Sequence, residues 1–253
     1  MARQVWPGIV LCSLLLFSPL AQLAWGDEAV PPFAPATPQK ALSKDPPGMK
    51  RLLPDSNLWI DAKNKRIVFD GVVCLRQGPL EMLVCAKGTK EHESVIAADT
   101  KASAIHAGLL AVGAKAGTPV QFQPEYRPAT GSEIDVTLIW EDDKKTVHRE
   151  RAQEWVRNVK TQKAMEFPWV FAGSIILRDQ ESGTQQYLAD QGDIICVSNF
   201  ASAMLDLPVP SSQSNAELMF NAFTEHIPPV GTPVRVVLSA RPEKRAAEAK
   251  PTK

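Results

Sequence analysis

The chain has 253 residues, of which 44% are hydrophobic and 22% charged, so its composition is that of a globular protein with one full-sized core. Lys plus Arg and Asp plus Glu both number 28, which leaves no net charge to attract a polyanion. The sequence also has no basic run with interleaved aromatic residues, so it predicts no nucleic-acid partner.

The first 26 residues have the pattern of a secretory signal peptide. Arg3 supplies a positive charge, Ile9–Phe17 forms an apolar core, and Ala24-Trp25-Gly26 is a small-x-small cleavage site. We expect cleavage near Gly26 and export to the periplasm or the extracellular space. An uncleaved membrane anchor is the alternative, but the apolar run is well short of the roughly 20 residues that a spanning helix needs. No other segment predicts a stable membrane span in the mature chain.

Three further regions follow the signal peptide. Residues 27–51 are rich in proline and carry almost no large apolar side chains, which predicts a disordered linker. Residues 52–240 contain the hydrophobic runs and form the predicted folded domain. Residues 241–253 consist mostly of Ala, Lys, Arg and Glu, which predicts a disordered charged tail.

Short apolar runs separated by polar turns dominate the folded domain. A hairpin is predicted from Leu58–Asp61 and Arg66–Phe69, and a second from Ile134–Trp140 and Thr146–His148. Further strands are predicted at Leu80–Val84, Val95–Ala97, Ile194–Val197 and Val234–Leu238, and helices at Lys101–Gly113, Arg151–Val159 and Ala201–Pro208. Because strands outnumber helices, we expect an α+β fold with a mostly antiparallel sheet and few short helices.

Several short segments recur in the same order. Residues 99–105 resemble residues 198–204, Gly-Thr-Pro-Val occurs at 117–120 and at 231–234, and Gly-Thr occurs at 88–89 and at 183–184. This order suggests an internal pseudo-repeat of two halves, each with a strand, a capped helix and a Gly-Thr-Pro-Val strand. Chance similarity between short, common motifs is the alternative.

Reactive side chains concentrate between Gly78 and His106. The candidate binding pocket is formed by polar residues of one loop and a histidine of the following helix, namely Lys90, Glu91, His92, Glu93, Ser94 and His106. On an extended strand His92 and Ser94 lie about 6–7 Å apart, too far for a nucleophile and its base. The spacing also matches no zinc signature, so we predict neither a catalytic residue nor a metal ligand.

Signal cleavage leaves three cysteines, Cys74, Cys85 and Cys196, which allow at most one intrachain disulfide. A hairpin that turns at residues 77–79 places Cys74 and Cys85 about 10 Å apart or more, beyond the reach of a disulfide. Bridging these two therefore requires an irregular hairpin, and the pairing stays open. We expect all three cysteines to be small buried residues.

Four tryptophans, Trp59, Trp140, Trp155 and Trp169, are spread over separate predicted elements. Bulky aromatic side chains mostly anchor cores. We therefore expect these four to pack in the core of the domain.

Seven runs in fixed order resemble the YdjY domain of exported bacterial proteins. They are CLRQGPLE at 74–81, GTKEHES at 88–94, PWVFAGS at 168–174, YLAD at 187–190, ICVSNF at 195–200, LDLP at 205–208 and IPPVGTPV at 227–234. The resemblance covers nearly all of residues 52–238 and implies one secreted or periplasmic domain. It implies no activity and no catalytic residues, because none is assigned to the family. Three cysteines at these separations do not form a ferredoxin-type cluster site.

We expect an exported protein that acts as a binding or structural module of the cell envelope, with an unknown protein or small ligand as its partner. The alternative is a metal-binding or enzymatic site built on His92, Glu93, His106 and the nearby cysteines. The sequence identifies no cofactor, and it contains no catalytic signature that predicts an enzyme.

Overall fold

The computed structural model describes residues 45–211 and 219–242. The predicted signal peptide therefore lies outside the described residues, as do most of the predicted linker and of the predicted tail. The part of the linker that is described, residues 45–51, contacts the folded domain: Trp59 donates a hydrogen bond from Nε1 to Asp45 Oδ1, 3.1 Å away.

Fifteen strands are present in the described residues. In chain order they are β1 (Lys50–Arg51), β2 (Leu58–Asp61), β3 (Arg66–Val73), β4 (Met82–Ala86), β5 (Ser94–Ala98), β6 (Glu133–Glu141), β7 (Val147–Arg151), β8 (Val156–Asn158), β9 (Trp169–Phe171), β10 (Ile176–Arg178), β11 (Gln185–Tyr187), β12 (Ile195–Cys196), β13 (Leu205–Asp206), β14 (Phe220–Ala222) and β15 (Pro233–Ala240). The one α-helix among these residues is α1 (Ala102–Ala111), and short 3-10 helices cover Glu91–Glu93, Ala152–Trp155 and Leu188–Gln191.

Eight of these strands form a closed barrel, in the order β3-β15-β6-β9-β13-β12-β4-β5 and back to β3. The fold is mostly β, with 37% strand and 11% helix, so the predicted α+β class is wrong. Most neighbours are antiparallel, but β4 pairs with β5, and β12 with β13, in parallel. Strands β12 and β13 have only two residues each, too few to show a periodic pattern in the sequence.

The barrel closes where β3 pairs with β5. The antiparallel register places Gly71 opposite Ala98 and Val73 opposite Ile96. A Cβ atom added at Gly71 lies 2.6 Å from Ile96 Cγ2 and 2.9 Å from the carbonyl oxygen of Ala97. The two backbones approach this closely because Gly71 has no side chain.

Two predicted hairpins are confirmed, whereas two predicted helices are wrong. Strands β2 and β3, and strands β6 and β7, pair as antiparallel neighbours as expected. The segment Arg151–Val159 is instead a 3-10 turn followed by β8, which pairs with β14. The segment Ala201–Pro208 contains β13 in place of a helix, because its backbone pairs with β9 and β12.

The predicted two-half repeat is also wrong. Residues 99–105 lead into α1, which follows β5, whereas residues 198–204 form the irregular connection between β12 and β13. The second Gly-Thr-Pro-Val segment, at 231–234, leads directly into β15. The first, at 117–120, is separated from the next named strand, β6, by a long irregular segment. The two copies of each motif therefore occupy different places in the barrel.

The core confirms the prediction for the tryptophans. All four are buried, and Trp155 and Trp169 have no exposed surface. Trp169 donates a hydrogen bond from Nε1 to the carbonyl oxygen of Cys196 at 2.7 Å, which joins β9 to β12 through the core. Helix α1 contributes Ile105 and Leu109 to the same core.

No helix in residues 45–211 and 219–242 has both the length and the apolar character needed to cross a lipid bilayer.

We predict that Gly71→Ala lowers the free energy of unfolding by about 2–3 kcal/mol, because the new methyl group forces the backbones of β3 and β5 apart. Gly108→Ala is the matched control: its Cβ lies 2.8 Å from Ile67 Cδ1, the flexible end of a side chain. Gly108 is helical, so alanine also gains roughly 1 kcal/mol in helix propensity, and we expect near-neutral stability. Urea unfolding of both variants measures the difference, and equal stabilities contradict the closure argument.

Candidate functional site

Two polar loops meet on one side of the barrel, and both connect parallel strands. Residues 87–93 join β4 to β5, and residues 197–204 join β12 to β13. A connection between parallel neighbours has to run back along the whole strand. Because β4 and β12 pair with each other, the two loops are carried by adjacent strands. Polar side chains of both loops therefore come together.

An ion pair links the first loop to the start of β12. Lys90 Nζ lies 2.8 Å from Asp193 Oδ1, and Ser202 donates a hydrogen bond to Asp193 Oδ2 at 2.5 Å. Lys90 also stands over the ring of Phe200, 5.0 Å from its centroid. Burial favours a lower pKa for Lys90, but its hydrogen bond and charge attraction with Asp193 outweigh burial and raise that pKa. The ammonium group is therefore held charged against Asp193.

Two carboxylates meet beside this ion pair. The backbone N–H of Glu81 donates to the carbonyl oxygen of Glu93 at 3.1 Å, while its own carbonyl accepts from Val197 at 2.8 Å and Ser198 at 3.0 Å. Burial, followed by the charge of Glu93 and a hydrogen bond with that side chain, raises the pKa of Glu81. The Glu81 carboxyl group therefore gives up its proton less readily than an exposed glutamate.

A third acidic group lies in the interior behind the second loop. Asp206 has no exposed surface; its Oδ1 accepts hydrogen bonds from Asn199 Nδ2 at 3.0 Å and from the Leu207 N–H at 2.7 Å. Its Oδ2 is buried without a hydrogen-bond partner. Burial raises the pKa of Asp206 to about 7, against the opposing effect of these hydrogen bonds. Tyr126 reaches this group from the surface by donating to Asn199 Oδ1 at 3.2 Å.

The structure keeps four of the six predicted pocket residues together. Lys90, Glu91, His92 and Glu93 occupy one loop, where the Glu91 carboxylate accepts a hydrogen bond from the Gly88 N–H. The His92 side chain is 76% exposed, with Nε2 3.6 Å from Glu93 Oε2. The imidazole is therefore open to solvent, whereas the Glu93 side chain is only 20% exposed.

The other two predicted residues lie in different surroundings. Ser94 begins β5, is fully buried and donates to the carbonyl oxygen of Ile96 at 3.3 Å. His106 lies in α1, with Nδ1 2.8 Å from the Tyr187 hydroxyl and its ring centroid 4.7 Å from that of Phe171. Burial lowers the pKa of His106. Its position is thus set by an aromatic cluster.

An open groove of about 610 Å³ lies along the other flank of the first loop. Lys87 and Thr89 form one wall, and Thr100 and Lys101, which precede α1, form another. Asp190 lies at the end of the groove and accepts hydrogen bonds from the backbone N–H and the hydroxyl of Ser103, both at 2.8 Å. The start of the helix is therefore already satisfied by a carboxylate of the protein itself.

Sequence reasoning missed Glu81, Asp193, Asn199 and Asp206 as site residues. Glu81, Asn199 and Asp206 lie inside runs that carry the family resemblance, which is the one signal that could have found them. Within residues 45–211 and 219–242, no three side chains of His, Cys, Asp or Glu lie close enough together to hold a metal ion.

A family model described as the YdjY domain matches residues 58–239. That description names a domain and no activity. The match extends over the barrel and both loops. No curated protein and no solved structure is significantly similar to the chain.

We predict that Asp206 makes the stability depend on pH. Its folded pKa of about 7 lies above the unfolded value of about 4, so between these pH values the folded state holds a proton that the unfolded chain has lost. The free energy of unfolding therefore falls as pH rises from about 4 to about 7, by on the order of 3 kcal/mol from this group alone.

Chemical unfolding of the wild type and of Asp206→Asn at several pH values measures this contribution. We expect the variant to lose that part of the pH dependence, because its amide does not titrate. Asp143→Asn, in the exposed turn after β6, is the control and keeps the wild-type slope. Parallel curves for wild type and Asp206→Asn contradict the prediction.

Proposed function

This chain belongs to the YdjY domain family, and from its site we propose that it is a binding module of the cell envelope, exported by residues 1–26. The proposed site is the surface formed by the loop 87–93 together with Glu81, and the ligand it accepts carries a positively charged group. The export step rests on the signal-peptide pattern of the sequence.

The observation that carries the proposal is the pairing of Glu81 with Glu93. Two adjacent carboxylates repel each other unless a proton or a cation lies between them, and burial together with the charge of Glu93 raises the pKa of Glu81. Lys90 of the same loop is already bound to Asp193. A guanidinium or ammonium group of a ligand can therefore offset the repulsion and bind both carboxylates.

The site is held in place before a ligand arrives. Backbone hydrogen bonds tie Glu81 to Glu93 on one side and to Val197 and Ser198 on the other. The ion pair of Lys90 with the buried Asp193 anchors the loop to β12. Because little conformational freedom is left to lose, binding costs less entropy than at a mobile loop.

An enzymatic site is a second candidate, and the observation that favours it is Asp206. A carboxyl group with a pKa of about 7 can give and take a proton at neutral pH, as a general acid or base does. The side chain has no exposed surface, however, so a substrate reaches it only after the second loop moves. The binding role requires no such movement. The metal alternative at His92, Glu93, His106 and the cysteines is tested by measuring bound zinc, copper and iron in the purified protein.

We predict that the protein binds Nα-acetyl-arginine amide through Glu81 and Glu93. Titration of the 15N-labelled protein, followed by NMR, is expected to give saturable shifts at the backbone amides of Glu81, Val197 and Ser198. The double variant Glu81→Gln/Glu93→Gln should bind roughly a hundredfold more weakly or not at all, since each of the two lost charge-assisted hydrogen bonds is worth on the order of 1.5–3 kcal/mol.

Two controls separate specific binding from general attraction. Nα-acetyl-citrulline amide has the same shape without the charge and should produce no saturable shift. Glu181→Gln removes an exposed carboxylate in the turn between β10 and β11 and should bind like the wild type. Equal binding of the arginine and citrulline probes, or full affinity in the double variant, overturns the proposed site.

A further inference from the structure

An apolar row lies on the outer side of the barrel wall. Trp59 of β2 is opposite Val68 of β3, and Val68 is opposite Val237 of β15, so the three side chains lie in one line across adjacent strands. Their neighbours along the chain pack in the main core, whereas these three form a separate cluster, against which Ile139 packs. Because successive side chains of a strand point to opposite faces, the row faces away from the barrel interior. We call these four residues the Trp59 face.

The Trp59 face is covered by residues 45–51, which we call the strap. The last two strap residues form β1, which pairs with β2 and places Arg51 opposite Trp59. Met49 packs against the face, and Asp45 Oδ1 accepts a hydrogen bond from Trp59 Nε1 at 3.1 Å. Under this cover Trp59 is only 2% exposed. The strap therefore occupies the face with one carboxylate and one apolar side chain.

Two guanidinium groups contact the ring of Trp59. Arg51 of the strap lies 5.0 Å from the ring centroid, and Arg235 of β15 lies 5.1 Å from it. Within the strap, Asp45 pairs with Arg51 at 2.6 Å. On the barrel, Asp70 of β3 pairs with Arg235 at 2.8 Å. The barrel itself thus supplies an indole N–H donor and a paired arginine beside the apolar row.

The strap is held less firmly than the face beneath it. The side chains of Arg51 and Asp45 are 36% and 57% exposed, whereas those of Arg235 and Asp70 are 16% and 13% exposed. Exposed ion pairs contribute little to stability, and a strand of two residues adds few backbone hydrogen bonds. Segments with few buried contacts open locally at a lower free energy than core strands do. The strap can therefore detach while the Trp59 face stays formed.

We propose that the Trp59 face is a docking surface for an extended segment of a partner protein, and that the strap occupies it as an internal substitute. The partner segment carries a carboxylate followed four residues later by an apolar side chain, as Asp45 and Met49 do in the strap. It replaces the strap by binding the indole N–H, the apolar row and the edge of β2 that the strap vacates. This surface lies on other strands than Glu81 and Glu93, and it does not depend on a ligand there.

The covalent connection of the strap sets a threshold for the partner. Residues 52–57 join the strap to β2, and a short connection of this kind gives an effective concentration on the order of millimolar. A free segment with the same contacts therefore competes poorly with the strap. It binds well only when the strap is weakened or when the partner adds contacts of its own.

We predict that loosening the strap opens the face to a synthetic peptide of residues 43–52. The variant Asp45→Ala/Met49→Ala of the full chain changes two strap residues and no barrel residue. In the 15N-labelled variant we expect the indole N–H signal of Trp59 to move, because its hydrogen bond is lost, and to return toward the wild-type position as peptide is added. The wild type should bind the peptide roughly tenfold more weakly, because its own strap competes.

Limited trypsin digestion measures the detachment itself. Cleavage after Arg51 should be roughly tenfold faster in the double variant, since a detached strap fits a protease and a paired strand does not. Lys50→Ala is the matched control: its side chain lies on the opposite side of β1 from Arg51, so the Trp59 signal and the cleavage after Arg51 should match the wild type.

A peptide in which both Asp45 and Met49 are replaced by alanine is the second control, and it should not restore the Trp59 signal. The indole signals of the other core tryptophans show that the barrel stays folded. Failure of the native peptide to bind the double variant overturns the docking surface. Equal binding to the wild type and the double variant, or unchanged cleavage after Arg51, overturns the role of the strap as a cover.

Discussion

The contact between β3 and β5 turns a twisted sheet into a closed barrel, and the other features of the molecule follow from it. Antiparallel pairing from Gly71 to Val73 uses the last free edge of both strands, so no barrel strand keeps an unpaired side at this point. The missing side chain at Gly71 permits the close approach. Once β5 lies beside β3, strand β4 has to be placed on its far side, and the loop between β4 and β5 has to return along the barrel.

Parallel neighbours with short connections explain why polar groups accumulate on one side. A short loop that runs back along a strand cannot pair its own backbone hydrogen-bonding groups as a helix does. Its polar groups therefore form hydrogen bonds with neighbouring strands. Lys90 finds Asp193 before β12, and the Glu81 backbone binds both loops. The Asp206 carboxylate is only partly hydrogen-bonded, because its Oδ2 atom is buried without a partner. A buried acid in this state destabilises the folded protein when it ionises, and such costs are commonly retained at functional sites.

Local features of this fold could be predicted from the sequence, and non-local ones could not. Alternating apolar residues and polar turns gave the β2–β3 and β6–β7 hairpins correctly, and the periodic apolar stripe gave α1 with an error of about two residues at its end. Strands β12 and β13 have only two residues each and show no periodic pattern in the sequence. The segment Ala201–Pro208, which contains β13, was therefore predicted to be a helix. Closure of the barrel has no local signal, and the α+β prediction was wrong for that reason.

The same distinction holds for the site. The run Lys90–Glu93 was recognised because its polar residues are neighbours in the chain, whereas Glu81, Asp193 and Asp206 join it through strand pairing. The sequence placed Cys74 and Cys85 about 10 Å apart or more because β3 and β4 were assumed to be partners in a hairpin. Strand β5 lies between them instead, so the assumed hairpin is wrong although the two cysteines are on separated strands as expected. Strand order of this kind depends on non-local pairing, which a local pattern does not show.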